Sequence, residues 1–199
     1  KGQDDEQVFL NCVKQIRESI FTSQNIVKDL SDFAALTLSS EERCDVNEVL
    51  MHVKRLLYDE IDNSNAAIAH GAFTDLNIQP FRLLIIFKNL IQNAIKYAGA
   101  TKPQILIFES RKDNAHIITV QDNGIGIPPQ DQNAIFAPYR RASNVGKIGG
   151  SGIGLSTCRS LLRGAGGEIV IESPRSGMLT QPGTAFHLEF PQEMVLGKR

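Results

Sequence analysis

Tryptophan is absent from this 199-residue chain, and cysteine, aromatic residues and net charge are all scarce. The three cysteines, Cys12, Cys44 and Cys158, lie far apart, which argues against a disulfide scaffold or a cysteine metal pair and predicts reduced thiols in a cytosol-like compartment. Lys and Arg total 21 against 22 Asp and Glu, and this balance argues against a protein that coats nucleic acid. The longest apolar runs, such as residues 83–87, are too short to span a bilayer.

The first forty residues carry a heptad pattern. Residues 6–36 contain no glycine or proline, and apolar side chains recur at alternating steps of four and three, with Ser23 filling one place. This spacing predicts an amphipathic helix of about 28 residues, roughly 42 Å long. The helix packs either on its own domain or in an intermolecular bundle, and the strict heptad favours the bundle. A polar break at 39–43 separates a partial dimerisation-type helix, 1–40, from a globular domain, 41–199. The apolar heptad positions are Phe9, Val13, Ile16, Ile20, Val27, Leu30 and Ala34.

The globular segment predicts helices mixed with β-hairpins. Asp45 is placed to cap a first helix, and Pro80 opens a second helix that ends near Tyr97. Because hairpins replace a regular strand–helix alternation, the fold class is α+β, a two-layer sandwich with helices on one face of a mixed sheet of about five strands. A third helix is expected over 152–163, and strands are expected near 66–72, 105–110, 117–121, 168–172 and 184–190.

Two asparagines and a lysine share one side of the second helix. Asn89 and Asn93 are four residues apart and Lys96 follows by three, so the three side chains project together. Asparagine is a poor helix former because its side chain competes for backbone hydrogen bonds. The pattern is typical either of a solvated helix face or of the polar wall of a pocket.

Glycines directly follow the predicted strand 117–121. Asp122 ends the strand, where it can accept a hydrogen bond from an amine, and Gly124 and Gly126 would let the backbone approach a flat ligand closely. An ordinary glycine-bearing turn is the alternative interpretation.

A second glycine cluster, at residues 149–155, leads into the third helix. Glycines before a helix expose N–H groups, and the helix dipole adds partial positive charge, so the segment is suited to phosphate. It is not a Walker loop, because Ile148 follows Lys147, and it lacks the strand and spacing of a dinucleotide-binding turn. Within residues 128–163 five Lys or Arg stand against Asp131 alone, a basic patch of the size for one polyphosphate. The aperiodic stretch 128–150 is typical of a functional loop.

Taken in order, these segments resemble the ATP-binding domain of sensor histidine kinases, in the superfamily shared with gyrase, mismatch-repair ATPases and heat-shock chaperones. The resemblance covers roughly residues 45–191 and implies a Bergerat-type fold; the heptad helix resembles part of the family's dimerisation hairpin. The segments resemble the asparagine box at 89–97, the first glycine box at 122–126, the phenylalanine box at 135–141, the second glycine box at 150–155 and the final Gly-Thr strand entry at 183–186.

The resemblance implies a role for each matching residue. Asn93 would hold Mg²⁺ through its side-chain oxygen, with Asn89 supporting that site. Arg140 and Arg141 would act on the terminal phosphates of ATP, and Asp122 would bind the adenine amine. Residues 128–150 would form a mobile lid. The other implied nucleotide-binding residues are Lys96, Tyr97, Gly124, Gly126, Ile127, Phe136 as the lid anchor, Gly150, Ser151, Gly152, Ile153, Gly154 and Leu155.

The implied activity is transfer of the γ-phosphate of ATP to a histidine on a dimerisation helix, and then to a response-regulator receiver domain. The parent protein is expected to be a homodimer with this region in the cytoplasm and no nucleic-acid partner. Relatives that hydrolyse ATP have a glutamate where Asn89 stands, and asparagine cannot act as a base, so transfer is favoured over hydrolysis. None of the four histidines is followed by the acidic residue and proline of the family's phosphoacceptor, so the acceptor helix is expected upstream of Lys1.

Three alternatives share these sequence features. A serine kinase of the anti-sigma-factor type is disfavoured by the heptad helix. A nucleotide-sensing module, which binds ATP but has lost transfer, stays open because the binding residues say little about transfer. A hydrolase of the gyrase or chaperone type is disfavoured by Asn89.

Overall fold

The computed structural model describes residues 43–146, 148–173 and 183–196, together with eight positions among the first 27. These eight positions are helical and exposed. Most of the predicted dimerisation helix lies outside the described residues, so that helix and the domain boundary near residue 40 stay predictions. No helix in the described part of the chain is long and apolar enough to cross a membrane. The described heptad positions are Phe9, Val13, Ile16, Ile20 and Val27.

The globular segment mixes helices and strands along its whole length. Its helices are α1 (Val46–Leu56), α2 (Tyr58–Ser64), α3 (Pro80–Lys96) and α4 (Gly154–Arg163). Its strands are β1 (Arg43–Cys44), β2 (Ala67–His70), β3 (Leu76–Asn77), β4 (Gln104–Lys112), β5 (Ala115–Asp122), β6 (Glu168–Glu172) and β7 (Thr184–Pro191).

Five strands form one mixed sheet in the order β2-β4-β5-β7-β6. The β2–β4 pair is parallel and the other three pairs are antiparallel, while β1 and β3 form a separate small antiparallel pair. The hydrophobic core lies between this sheet and the helices, with Leu50 of α1, Phe87 of α3 and Leu162 of α4 fully buried. The α+β class and the two-layer mixed sheet predicted from the sequence are therefore confirmed.

The helix starts follow local side-chain chemistry. Asp45 precedes α1, and its Oδ1 accepts hydrogen bonds from the backbone N–H groups of Asn47 at 2.8 Å and Glu48 at 3.1 Å. Pro80 occupies the first turn of α3, where its missing N–H has no intrahelical partner to lose. Both predicted starts are confirmed.

The structure corrects the start of the third predicted helix. α4 begins at Gly154 rather than at residue 152, because Gly152 has a φ of +72°, which a right-handed helix does not accommodate. Three elements had no sequence signal: α2 buries none of its side chains, so it lacks an apolar period, and β1 and β3 are two residues long. The aperiodic stretch 128–150 contains three short 3₁₀ turns, Pro129–Asp131, Ala134–Phe136 and Ser143–Val145.

Candidate functional site

A cavity of about 960 Å³ lies between α3, the end of β5, the segment 128–150 and the start of α4. Fourteen of the seventeen predicted site residues line it, although they come from parts of the chain that are far apart in sequence. Gly124, Phe136 and Ile153 do not line it. The lining set is Asn89, Asn93, Lys96, Tyr97, Asp122, Gly126, Ile127, Arg140, Arg141, Gly150, Ser151, Gly152, Gly154 and Leu155.

Asp122 lines the cavity, and its carboxylate is held by the backbone. Its Oδ1 accepts hydrogen bonds from the N–H groups of Gly124 at 2.8 Å and Thr184 at 3.2 Å. Burial raises the pKa of Asp122 to about 6, although these two amides favour the charged form. Among the described residues no donor binds Oδ2, so this oxygen can accept a hydrogen bond from an amine in the cavity.

The two glycines after Asp122 have different structural roles. A Cβ on Gly124 would come within 2.6 Å of the Tyr97 carbonyl oxygen at the end of α3, so this glycine permits close packing of the protein on itself. Gly126 lines the cavity with a φ of +69°, a conformation that glycine adopts without strain. The expected close approach to a ligand therefore applies to Gly126 and not to Gly124.

One wall of the cavity is the polar side of α3. The Nδ2 of Asn89 donates to the Ile85 carbonyl at 2.9 Å, and a Cβ on Gly154 would lie 2.6 Å from the Asn89 Oδ1, so the Oδ1 faces the start of α4. Among the described residues, no hydrogen bond engages the side chain of Asn93. The amide of Asn93 is therefore available to a ligand, whereas that of Asn89 is partly committed to the protein.

The glycine segment before α4 meets both α3 and the segment 128–150. A Cβ on Gly150 would lie 2.6 Å from Nζ of Lys96, which places this ammonium group beside the glycine backbone. The Tyr139 N–H donates to the Gly152 carbonyl at 3.0 Å, and a Cβ on Gly152 would lie 2.8 Å from the Arg140 carbonyl oxygen. Only a residue without a side chain fits this contact in its left-handed conformation.

The segment 128–150, called the lid below, is anchored to the core next to its arginines. Ile135 and Phe136 are buried, and the guanidinium of Arg159 lies 4.8 Å from the centre of the Phe136 ring. Phe136 is thus an anchor of the lid rather than part of the cavity wall. Arg140 and Arg141 line the cavity, and the Arg141 guanidinium donates to the Ile148 carbonyl. With Lys96, they add basic side chains to the wall of the cavity.

Several residues of the cavity wall could not be predicted from the sequence. Thr184 holds Asp122 through a backbone N–H, which sequence reading misses because the partners are 62 residues apart. Three residues of the N-terminal segment also line the cavity: Arg17, Ile20 and Gln24. The remaining unpredicted lining residues are Glu60, Ile85, Lys88, Gln92, Ile95, Ile125, Ile135, Ala142, Val145, Thr157 and Phe186.

None of the four histidines lines this cavity. His116 lies in β5 and is buried, with its Nε2 3.5 Å from the Oε2 of Glu109. Burial lowers the pKa of His116. Among the described residues, no group of three or more His, Cys, Asp or Glu is arranged to hold a metal ion. The donor set instead fits a Mg²⁺ ion that takes one protein oxygen, from Asn93, and otherwise phosphate and water oxygens.

Residues 78–194 match the family model described as histidine kinase-, DNA gyrase B- and HSP90-like ATPase. The chain belongs to this family. The match contains α3, the strands β4 to β7 and α4, which are the elements that enclose the cavity. The chain therefore contains an ATP-binding domain of the histidine kinase type, and the cavity is its candidate nucleotide site.

Relatives of this ATPase domain include several cyanobacterial sensor proteins. The chain is 32% identical over 170 residues to the phytochrome-like protein Cph1 of Synechocystis, covering 84% of this chain and 22% of Cph1. It is 35% identical over 119 residues to the adaptive-response sensory kinase SasA of Synechococcus, covering 58% of this chain and 29% of SasA. The chain thus spans less than a third of the length of these curated relatives.

Solved histidine kinase domains share the fold. The nucleotide-free catalytic domain of histidine kinase ThkA superposes with a TM-score of 0.61 at 25% sequence identity, covering 75% of this chain and 96% of that domain. Family, relatives and fold thus agree on a histidine kinase-type ATPase domain.

Proposed function

We propose that this domain binds Mg-ATP and transfers the γ-phosphate to a histidine of a dimerisation helix, for relay to a response-regulator receiver domain. The observation that carries the proposal is the set of groups that line one cavity: the buried carboxylate of Asp122, basic side chains beside a glycine segment, and the Asn93 amide on α3. This arrangement matches the base, polyphosphate and metal of a single Mg-ATP.

The adenine end is defined by Asp122. With Oδ1 bound to two backbone amides, Oδ2 is left to accept the exocyclic amine of adenine. A guanine carries a carbonyl oxygen at that position, and two facing oxygens cannot form a hydrogen bond. We therefore expect adenine to be selected over guanine.

The phosphate end is defined by cations and backbone amides. Lys96 lies beside Gly150, and Arg140 and Arg141 enter from the lid. N–H groups at the start of α4 add the positive end of its dipole. Asn93 would contribute a protein oxygen to Mg²⁺, and the ion would supply positive charge that neutralises phosphate when bound.

Transfer to histidine is favoured over hydrolysis by Asn89. Its amide cannot remove a proton from water, and its Nδ2 already donates to the Ile85 carbonyl. In the proposed step an imidazole nitrogen attacks the γ-phosphorus, an N–P bond forms, and the bond to the ADP oxygen breaks. None of the four histidines lines the cavity, which supports an acceptor histidine outside this chain.

The relay partner is supported by one structural relative. Histidine kinase ThkA has been solved in complex with the response regulator TrrA. That kinase shares the fold of this chain at 22% identity, and the match covers 89% of this chain and 49% of the solved chain. By analogy, we propose a receiver domain as the final phosphate acceptor. The heptad pattern of the N-terminal segment supports our proposal of a homodimer as the working state.

The proposal is tested with γ-labelled Mg-ATP and the parent protein that carries this chain. We expect label that is stable in alkali, is lost in acid and moves to a receiver domain. Asn93→Ala should abolish the label, because it removes the protein ligand of Mg²⁺. The matched control is Asn114→Ala, which makes the same substitution in the exposed turn between β4 and β5 and should label normally.

Two outcomes would change this conclusion. If the wild-type protein binds ATP but never forms acid-labile label, the domain is a nucleotide-sensing module. If Asn93→Ala and Asn114→Ala label equally, the site is wrongly placed.

A further inference from the structure

One carboxylate links the first and third 3₁₀ turns of the lid. Asp131 ends the first 3₁₀ turn of the lid and Ser143 begins the third. The Asp131 Oδ2 accepts hydrogen bonds from both the N–H and the Oγ of Ser143, each at 2.7 Å. These hydrogen bonds hold the pKa of Asp131 below its usual range, so the carboxylate is charged at neutral pH.

The contact fixes the chain immediately beyond the two arginines. Arg140 and Arg141 line the cavity, Ala142 is buried against the core, and Ser143 follows. The chain before the arginines is also held, because the Tyr139 N–H donates to the Gly152 carbonyl at 3.0 Å. The arginine pair therefore lies between two fixed points, one on the glycine segment and the other on Asp131.

A second hydrogen bond supports the same end of the lid. The Nδ2 of Asn144 donates to the Gly126 carbonyl at 2.9 Å, next to the strand end that carries Asp122. The donor is one residue beyond Ser143, so this bond holds the third turn of the lid but does not engage the backbone N–H of Ser143. Among the described contacts, that N–H is held by Asp131.

We propose that Asp131 is a positioning residue for phosphate binding: it holds Ser143 so that Arg140 and Arg141 remain in the wall of the cavity. The inference rests on the proposed binding of Mg-ATP, and it adds a residue that never contacts the nucleotide. Asp131 is negatively charged, so its simple electrostatic effect on a polyphosphate would be repulsive. Positioning of the arginines by Asp131 would instead strengthen binding. Repulsion and positioning therefore predict opposite changes in affinity when Asp131 is replaced.

The test compares Asp131→Ala and Asp131→Asn by calorimetric titration with Mg-ATP and Mg-ADP. Alanine removes the acceptor, and we expect Mg-ATP to bind about tenfold more weakly, the effect of one hydrogen bond to a charged group. Asparagine keeps an acceptor oxygen but loses the charge, so it should retain most of the affinity. Mg-ADP should be affected less, because the proposed function assigns the arginines to the terminal phosphate of ATP. The matched control is Glu193→Ala, which removes an exposed carboxylate from the short turn that follows β7.

Repeating Asp131→Ala in an Arg140→Ala/Arg141→Ala background tests the route of the effect. If Asp131 acts through the arginines, its removal should not weaken Mg-ATP binding further in that background. An equal further loss there, or tighter binding by both Asp131 variants in the wild-type background, would overturn the proposal. A wild-type protein that does not bind Mg-ATP would instead overturn the proposed function itself, so the two failures are distinguishable.

Discussion

At the carboxyl end of β5, Asp122 uses its two carboxylate oxygens differently. Its position directly after a strand and before glycines predicts a hydrogen-bond acceptor. The amide that helps to hold it could not be predicted, because β5 and β7 pair so that Asp122 lies opposite Thr184. A sequence shows which residue has the chemistry, but the sheet order determines which lone pair is left for the ligand.

The raised pKa of Asp122 gives a prediction at the residue scale. Its pKa is about 6, and an amine donor binds the carboxylate better than the neutral acid. Nucleotide binding should therefore lower the pKa of Asp122 and release a proton from its carboxyl group. The affinity for nucleotide should weaken as the pH falls below about 6. A carbon-13 NMR titration of the carboxyl group, with and without Mg-ATP, measures the shift directly. An Asp122 pKa that is unchanged by nucleotide would show that the amine does not bind there.

The start of α4 shows how one element depends on another. The glycine cluster predicts a phosphate-binding turn before a helix, but the helix begins two residues later than its sequence indicates. The reason is the lid: Tyr139 donates to the Gly152 carbonyl, and Gly152 takes a left-handed conformation at that contact. A contact between segments of the chain thus overrides the local helical pattern.

Two alanine substitutions in this glycine segment should differ sharply. In Gly152→Ala the new Cβ would lie 2.8 Å from backbone atoms of Tyr139 and Arg140, in a left-handed conformation that strains alanine. Relieving that contact must shift the lid or the turn. We expect nucleotide binding to weaken by roughly 5- to 150-fold, which corresponds to roughly 1–3 kcal/mol of strain. Gly149→Ala meets no atom within 4 Å and should bind normally. Titration of both variants with a fluorescent ATP analogue measures the difference, and equal affinities would contradict this role of Gly152.

The helices and strands were predictable to different degrees. α3 carries a first-turn proline and an apolar stripe with many buried side chains, so sequence reading found both ends of it. In contrast, α2 buries no side chain, and β1 and β3 exist because they pair with each other across more than thirty residues. Elements whose pattern comes from burial over several turns could be predicted, and elements formed by distant pairing or by exposed residues could not.

At the scale of the whole molecule, the cavity exists only when the fold is complete. Most of its walls come from α3, the end of β5, the lid, the start of α4 and β7, with further contributions from α2 and the N-terminal segment. An unfolded chain cannot gather these residues, so a nucleotide that binds only the folded state must stabilise it. The core beneath the cavity and the cavity itself should nevertheless be separable by mutation.

Ile86→Val tests that separation. Ile86 is fully buried in α3 but does not line the cavity, so losing one methylene group should lower the free energy of unfolding by about 1 kcal/mol. Mg-ATP at a hundred times its Kd should add about 2.7 kcal/mol to the wild type and to Ile86→Val alike. Asp122→Ala should lose this increment. Met51→Ala, at a side chain that is 55% exposed on α1, is the control and should change stability by less than about 0.5 kcal/mol.

Urea unfolding with and without nucleotide measures both quantities in each variant. The informative result is the rise in the free energy of unfolding that Mg-ATP causes, not the stability of each variant alone. An equal increment in the wild type and Ile86→Val means that α3 supports the site as a rigid wall whose inner packing tolerates a small loss. A smaller increment in Ile86→Val would mean that the buried side of α3 sets the positions of Asn89 and Asn93. In that case the core and the nucleotide site would be one cooperative unit.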